Sequence, residues 1–163
     1  MNVKKLTTLS LSVALAMILS FVESQIPPFV AIPGVKIGLS NIVTVFLIYS
    51  YGWREAGCVT FIRVVLSALL FGSFVSLLYS ICGAALSFAV MLILKKTNLF
   101  SIIGVSVAGG VFHNVGQIVC ACVVMENAAI TSYLPPLIIS GTIAGIAVGI
   151  LSGIVSQKLK GKI

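Results

Sequence analysis

FVSLLYSICGAALSFAVMLILKK (residues 74–96) is an uncharged apolar run that ends abruptly in two lysines. A helix needs roughly 20 apolar residues to cross a bilayer, and basic residues at the edge of such a run mark its cytoplasmic end. The same arrangement recurs along the chain. Lys4 and Lys5 precede the first apolar run, Arg54 follows the second, Lys95 and Lys96 the fourth, and Lys158, Lys160 and Lys162 the sixth. Threaded as six helices, the chain puts eight of its ten Lys and Arg residues on one side. This predicts an all-α integral membrane protein: a six-transmembrane-helix bundle with both termini cytoplasmic.

Composition agrees. The 163 residues are 60% hydrophobic and only 8% charged, with a mean hydropathy of +1.24. A small soluble domain leaves much of its surface in water and could not hide so much apolar area. The spans are expected at about 6–22, 37–51, 55–71, 74–94, 100–125 and 137–155, which makes residues 1–163 one transmembrane domain. Residues 1–20 also share features with a signal peptide. The apolar run continues through Phe21-Val22, however, and cleavage would leave five spans of the wrong parity, so the segment is read as a retained first span.

The net charge of +7 lies in short patches beside apolar runs. That placement fits topology and anionic lipid headgroups, not nucleic acid. Cys58, Cys82, Cys120 and Cys122 fall inside spans and suggest neither a disulfide framework nor a metal site. The chain contains no aspartate, hence no acidic cluster for magnesium and diphosphate. It has no GxxxxGK[ST] loop and cannot drive work with ATP alone. No enzyme activity, cofactor or metal is expected.

Two basic residues break the pattern, Lys36 and Arg63. Arg63 falls at the centre of span three, where an arginine costs at least ~2.5–3.5 kcal/mol unless it meets water, an anion or an acid. Snorkelling strains the reach of its side chain from that depth. Asn41 lies one turn into span two, and His113, Asn114 and Gln117 lie in span five, with His113 and Gln117 on one face. Each could be interhelical glue instead. Their agreement in depth points to one cavity open to the exterior, lined by Lys36, Asn41, Arg63, His113, Asn114 and Gln117. Two cations against the single nearby acid, Glu23, would favour a carboxylate, phosphate or other anion.

The outer segment Glu23 to Val35, with Pro27, Pro28, Pro33 and Gly34, is too proline-rich for a helix. A lid over the pocket and a loop dipping into headgroups both fit. A second outer loop is expected to hold Pro135 and Pro136. Gly141, Gly145, Gly149 and Gly153 recur every fourth residue in span six, a ribbon suited to close helix contact. It is expected to pack within the chain. Ser12, Ala16 and Ser20 share that spacing in span one and are expected to face a partner.

Three segments carry a family resemblance: Ile32-Pro-Gly-Val-Lys-Ile-Gly-Leu-Ser-Asn-Ile42, Phe61-Ile-Arg-Val-Val-Leu66 and Gly104-Val-Ser-Val-Ala-Gly-Gly-Val-Phe-His-Asn-Val-Gly-Gln117. They resemble the bacterial Gx transporter family, also labelled heptaprenyl diphosphate synthase component I, across almost the whole chain. Its members are similar to the S components of energy-coupling-factor (ECF) importers. The resemblance implies a substrate-binding subunit of the bacterial cytoplasmic membrane that captures a small vitamin or cofactor/quinone precursor. Its partners would be a transmembrane coupling subunit, docked on Ser12, Ala16 and Ser20, and two ATPase subunits. The first outer loop would gate the site. The alternative is a non-transporting accessory subunit of an isoprenoid, quinone or flavin-based redox complex.

Overall fold

The computed structural model describes residues 3–25 and 38–159, the side chain of Leu159 excepted. Every regular element among them is helical: α1 (Val3–Gln25), α2 (Asn41–Ser50), α3 (Trp53–Phe71), α4 (Phe74–Thr97), α5 (Ile102–Val124) and α6 (Leu134–Leu159). A 3-10 turn, Ala128–Tyr133, leads into α6. Four segments are long and apolar enough to cross a bilayer, α1, α4, α5 and the continuous stretch Ala128–Lys158, which marks the chain as a membrane protein. The ten residues of α2 would extend only about 15 Å. In α3, Arg54, Glu55 and Arg63 interrupt the apolar run.

Local chemistry sets most boundaries. Ser73 and Ser101 accept the N–H groups of Ser76 and Gly104, each at 3.2 Å, and so cap α4 and α5. Asn98 ends α4 in the left-handed conformation at φ 56°. Two expectations need correction. α2 begins at Asn41, not residue 37, because Gly38 adopts φ +90° and breaks the helical path. Pro135 and Pro136 sit in the first turn of α6, not in a loop. Their missing N–H groups belong to the turn that has no intrahelical acceptors.

The contacts fix a ring order of α1, α3, α4, α5, α6 and α2. α1 runs parallel to α3: Lys5 meets Glu55 at 2.5 Å near their N-terminal ends, and Phe21 meets Phe71 at 5.0 Å near their C-terminal ends. Thr44 and Thr60 share a hydrogen bond of 2.9 Å between α2 and α3. Ser152 of α6 donates to the Ile42 carbonyl at 3.0 Å and closes the ring on α2. Lys95 donates to the Ile48 carbonyl and lies 4.9 Å from the Tyr49 ring, which joins the C-terminal ends of α4 and α2. Lys4, Lys5, Arg54, Lys95, Lys96 and Lys158 therefore gather at one end of the bundle, as the charge pattern predicts.

The interior is polar for so apolar a chain. Ser20, Thr44, Thr60, Ser67, Ser87, Ser106 and Ser152 are buried, whereas Leu11, Leu69 and Ile143 are 65–73% exposed. Lipid solvates those outer side chains, so helix association rests on close packing and interhelical hydrogen bonds. The α5–α6 seam shows the packing. A methyl group on Gly110 would come within 2.4 Å of the Gly141 carbonyl oxygen, one on Gly145 within 2.6 Å of Val107 Cα, and one on Gly149 within 2.7 Å of Ile103 Cα. The ribbon thus packs internally at three positions; at Gly153 nothing lies within 4 Å.

The matching stripe on α1 is the main correction. Ser12, Ala16 and Ser20 are only 7%, 1% and 2% exposed within this single chain. They face the bundle, where α1 meets α2 and α3, and cannot present a docking face without α1 leaving it. Small residues permit close approach to any helix, and here the neighbours belong to the same chain. The outward face of α1 carries Leu11, Leu15, Ile18 and Val22.

Candidate functional site

The site is assembled from the residue that a lipid environment tolerates least. Arg63 lies on α3 and turns inward, only 6% exposed. Its Nη1 donates to Ser40 Oγ, in the turn that opens α2. One helical turn away, the Thr44–Thr60 bond joins the same two helices, so Arg63 is held by the upper of two polar rungs. Its Nε and Nη2 have no hydrogen-bond acceptor among the described residues. A guanidinium carries five N–H donors and no acceptor. Leaving some of them unmatched in a buried core is costly.

Glu23, 5% exposed on the last turn of α1, supplies the opposing charge. Its carboxylate accepts the Gly38 N–H and interacts electrostatically with Arg63. Only glycine suits residue 38. Besides its φ of +90°, a methyl group there would lie 3.0 Å from Asn41 Nδ2 and 3.6 Å from His113 Cδ2. Asn41 Nδ2 has no acceptor among the described residues.

His113 fills the space between two glycines. Gly38 faces its Cδ2, while a methyl group on Gly83 of α4 would lie 3.2 Å from its Cε1 and 2.8 Å from Gln117 Cγ. The expected pairing of His113 with Gln117 on one face of α5 therefore holds. Asn114 is turned elsewhere. Its Nδ2 donates to the Leu137 carbonyl at 2.7 Å and lies against Gly141, bracing the α5–α6 seam, while its Oδ1 has no partner among the described residues.

Of the six residues expected at the site, the structure brings Asn41, Arg63, His113 and Gln117 together through Gly38, Ser40 and Gly83. Asn114 faces α6. Lys36 lies outside the described residues, as does the expected lid except Glu23–Gln25, which continue α1. The expected open cup also needs correction. Asn41, Arg63, His113, Asn114 and Gln117 are each at most 6% exposed, so they form an enclosed polar core. Sequence reasoning missed Ser40, since a serine in a span reads as a small neutral residue. The position of Ser40 just before Asn41, at a helix start, was the usable signal. Among the described residues, Arg63 Nε and Nη2 and Asn41 Nδ2 are N–H donors without an acceptor, an arrangement that suits an acceptor group, above all an anionic one.

Residues 12–155, most of the chain, match the family described as heptaprenyl diphosphate synthase component I. No curated protein and no solved structure matches it.

Proposed function

We propose, for a chain that belongs to the heptaprenyl diphosphate synthase component I family, the role of a membrane substrate-capture subunit of the ECF type. It would take up a small anionic vitamin or cofactor/quinone precursor from outside and would not be an enzyme. The observation that carries this reading is the inward, buried Arg63 with two nitrogens lacking an acceptor among the described residues. A purely structural arginine at a bundle centre would be expected to have its donors matched. In the proposed complex the ligand accepts from Arg63 Nε and Nη2 and from Asn41 Nδ2, with His113 and Gln117 adding polar contacts. Lys36 and Asn114 are the further candidates from the sequence.

Uptake would need energy from partners, namely a transmembrane coupling subunit and two ATPases. Their docking face would lie on the outward ridge of α1, since the small-residue stripe is internal. Purification of the tagged chain from its native membrane should recover two ATPases and a coupling protein, and native mass spectrometry should find a retained small molecule. Recovery of neither would end the importer reading.

The proposed topology has six spans in the bacterial cytoplasmic membrane, with both termini inside. Single cysteines placed near Lys4 and Lys158 in a cysteine-free background should resist membrane-impermeant maleimide in intact cells, whereas one at Asn127 should be labelled. Labelling at Lys158 but not Lys4 would require an odd number of spans.

The family description favours a second reading, an accessory subunit of an isoprenoid, quinone or flavin-based redox complex. The word "component" names a part of an assembly, and a chain without aspartate lacks the metal-binding acids of a prenyl transferase. Under this reading the same purification brings down a synthase or reductase, and no small molecule is retained.

A further inference from the structure

A groove outside the Arg63 core lies between α3 and α4. Gly57, Phe61 and Val64 form one wall and Ile81, Ala85 and Phe88 the other, around a volume of about 160 Å³. Each set follows a spacing of four and then three residues, so each lies on one helix face. Gly57 and Ala85 bring little or no side chain to the contact, and the space they leave stays open. Among the described residues that line it, Thr60 alone is polar, and its hydroxyl is shared with Thr44. The groove therefore suits hydrocarbon.

Toward the basic end of the bundle, the same two helices frame a larger concavity of about 550 Å³. Gly52 and Trp53 bound it at the start of α3, Leu92, Lys95 and Lys96 at the end of α4, and Asn98 in the turn beyond. Trp53 stands four residues before Gly57, and Leu92 four after Phe88, which is about 6 Å along each helix. The two spaces thus follow one another along a single crevice, apolar within the bundle and basic at its end. Lys95 gives one N–H to the Ile48 carbonyl, and an ammonium group has three. Lys96 is exposed. Arg54, 5.3 Å from the Trp53 ring, adds a cation at the rim. The acid nearest Gly52 is Glu55, and Lys5 holds it at 2.5 Å.

A negative headgroup followed by hydrocarbon matches this order of surfaces, whereas a free anion matches only the mouth. We propose that the α3–α4 crevice binds one anionic phospholipid of the leaflet at the basic end. Its phosphate lies against Lys95 and Lys96, and a segment of one acyl chain fills the groove. An apolar cavity of about 150 Å³ holds benzene, so the groove takes a short stretch of methylenes and not a whole chain. Basic pockets between membrane helices are suited to anionic headgroups. A lysine that merely snorkels needs no apolar groove beside it.

The test follows lipid retention by native mass spectrometry of the full chain in neutral detergent, with dioleoyl phosphatidylglycerol or dioleoyl phosphatidylcholine added. The wild type should keep one phosphatidylglycerol under activation that strips phosphatidylcholine. Lys96→Gln should lower that retention about fivefold, the loss expected for one basic residue at an anionic lipid surface, and Lys96→Arg should restore it. Ala85→Phe fills the groove from an exposed position, leaves the mouth intact and should lower retention as well. Ala85→Leu, a smaller filling, repeats the measurement should the phenylalanine disturb the fold. Lys158→Gln removes a charge from the same end, on α6 outside the crevice, and should change nothing.

Equal retention of the two lipids, or equal losses in Lys96→Gln and Lys158→Gln, would reduce the effect to general attraction by a basic end and overturns the proposal. So does unchanged retention in the filled variants, which leaves a headgroup contact without a chain site. A lipid-free dimer that Ala85→Phe dissociates would give the groove to a second copy of the chain, and the proposal fails.

Discussion

Arg63→Met should lose the retained small molecule and destabilise the bundle, and the two losses should separate when Glu23→Gln is added. Removing the guanidinium deletes charge-assisted hydrogen bonds worth about 1.5–3 kcal/mol each, so affinity should fall roughly 10- to 100-fold or more. It also removes one favourable electrostatic partner of Glu23, 5% exposed, which should lower stability as well. In the double variant neither Arg63 nor Glu23 is left without the other, and replacing both charges with neutral groups is often close to neutral. Thermal stability in detergent should therefore recover most of its loss, while ligand retention measured by native mass spectrometry should not. Full retention in the double variant would remove Arg63 from the binding site. Recovery of neither property would show that Arg63 is needed for the fold itself.

The second large effect is steric. Gly110→Ala adds one methyl group where the Gly141 carbonyl oxygen would stand 2.4 Å away. Backbone cannot swing aside as a side chain can, so α5 and α6 must separate along a seam built on close approach. Overpacking typically costs about 1–3 kcal/mol and sometimes more, and this seam should lie at or above the upper end. Gly153→Ala is the matched control, with nothing within 4 Å and a gain in helix propensity of up to ~1 kcal/mol. Fluorescence-detected size exclusion after graded heating should show a large loss for the first and none for the second. Equal behaviour of the two would mean that the α5–α6 contact is not the one described.

Both predictions draw on residues whose importance was visible before their surroundings. An arginine in mid-span and glycines at every fourth position stand out because lipid penalises the first and gives no reason for the second. The gathering of basic residues at one end was equally plain, since topology signals are carried by residue type and position alone. The Glu23–Gly38 clamp was hidden because it joins residues fifteen apart across the end of a helix. Ser40 was hidden because its role depends on which side chain arrives opposite it. Pro135 and Pro136 were misplaced because a proline pair reads as a loop, although the first turn of a helix accepts it. The α1 stripe was assigned to a partner because small residues encode closeness without naming the neighbour.

The order of hydropathy and charge along the chain was enough to establish a helical membrane protein, its basic end and the anomaly of Arg63, because lipid acts on each residue separately. Direction within the bundle came only from tertiary structure: that Arg63 meets Ser40 and Glu23, that Asn114 turns to α6, and that Ser12, Ala16 and Ser20 face their own chain. Those choices depend on which helices are adjacent and how each is rotated, and both are settled by packing among all the helices together.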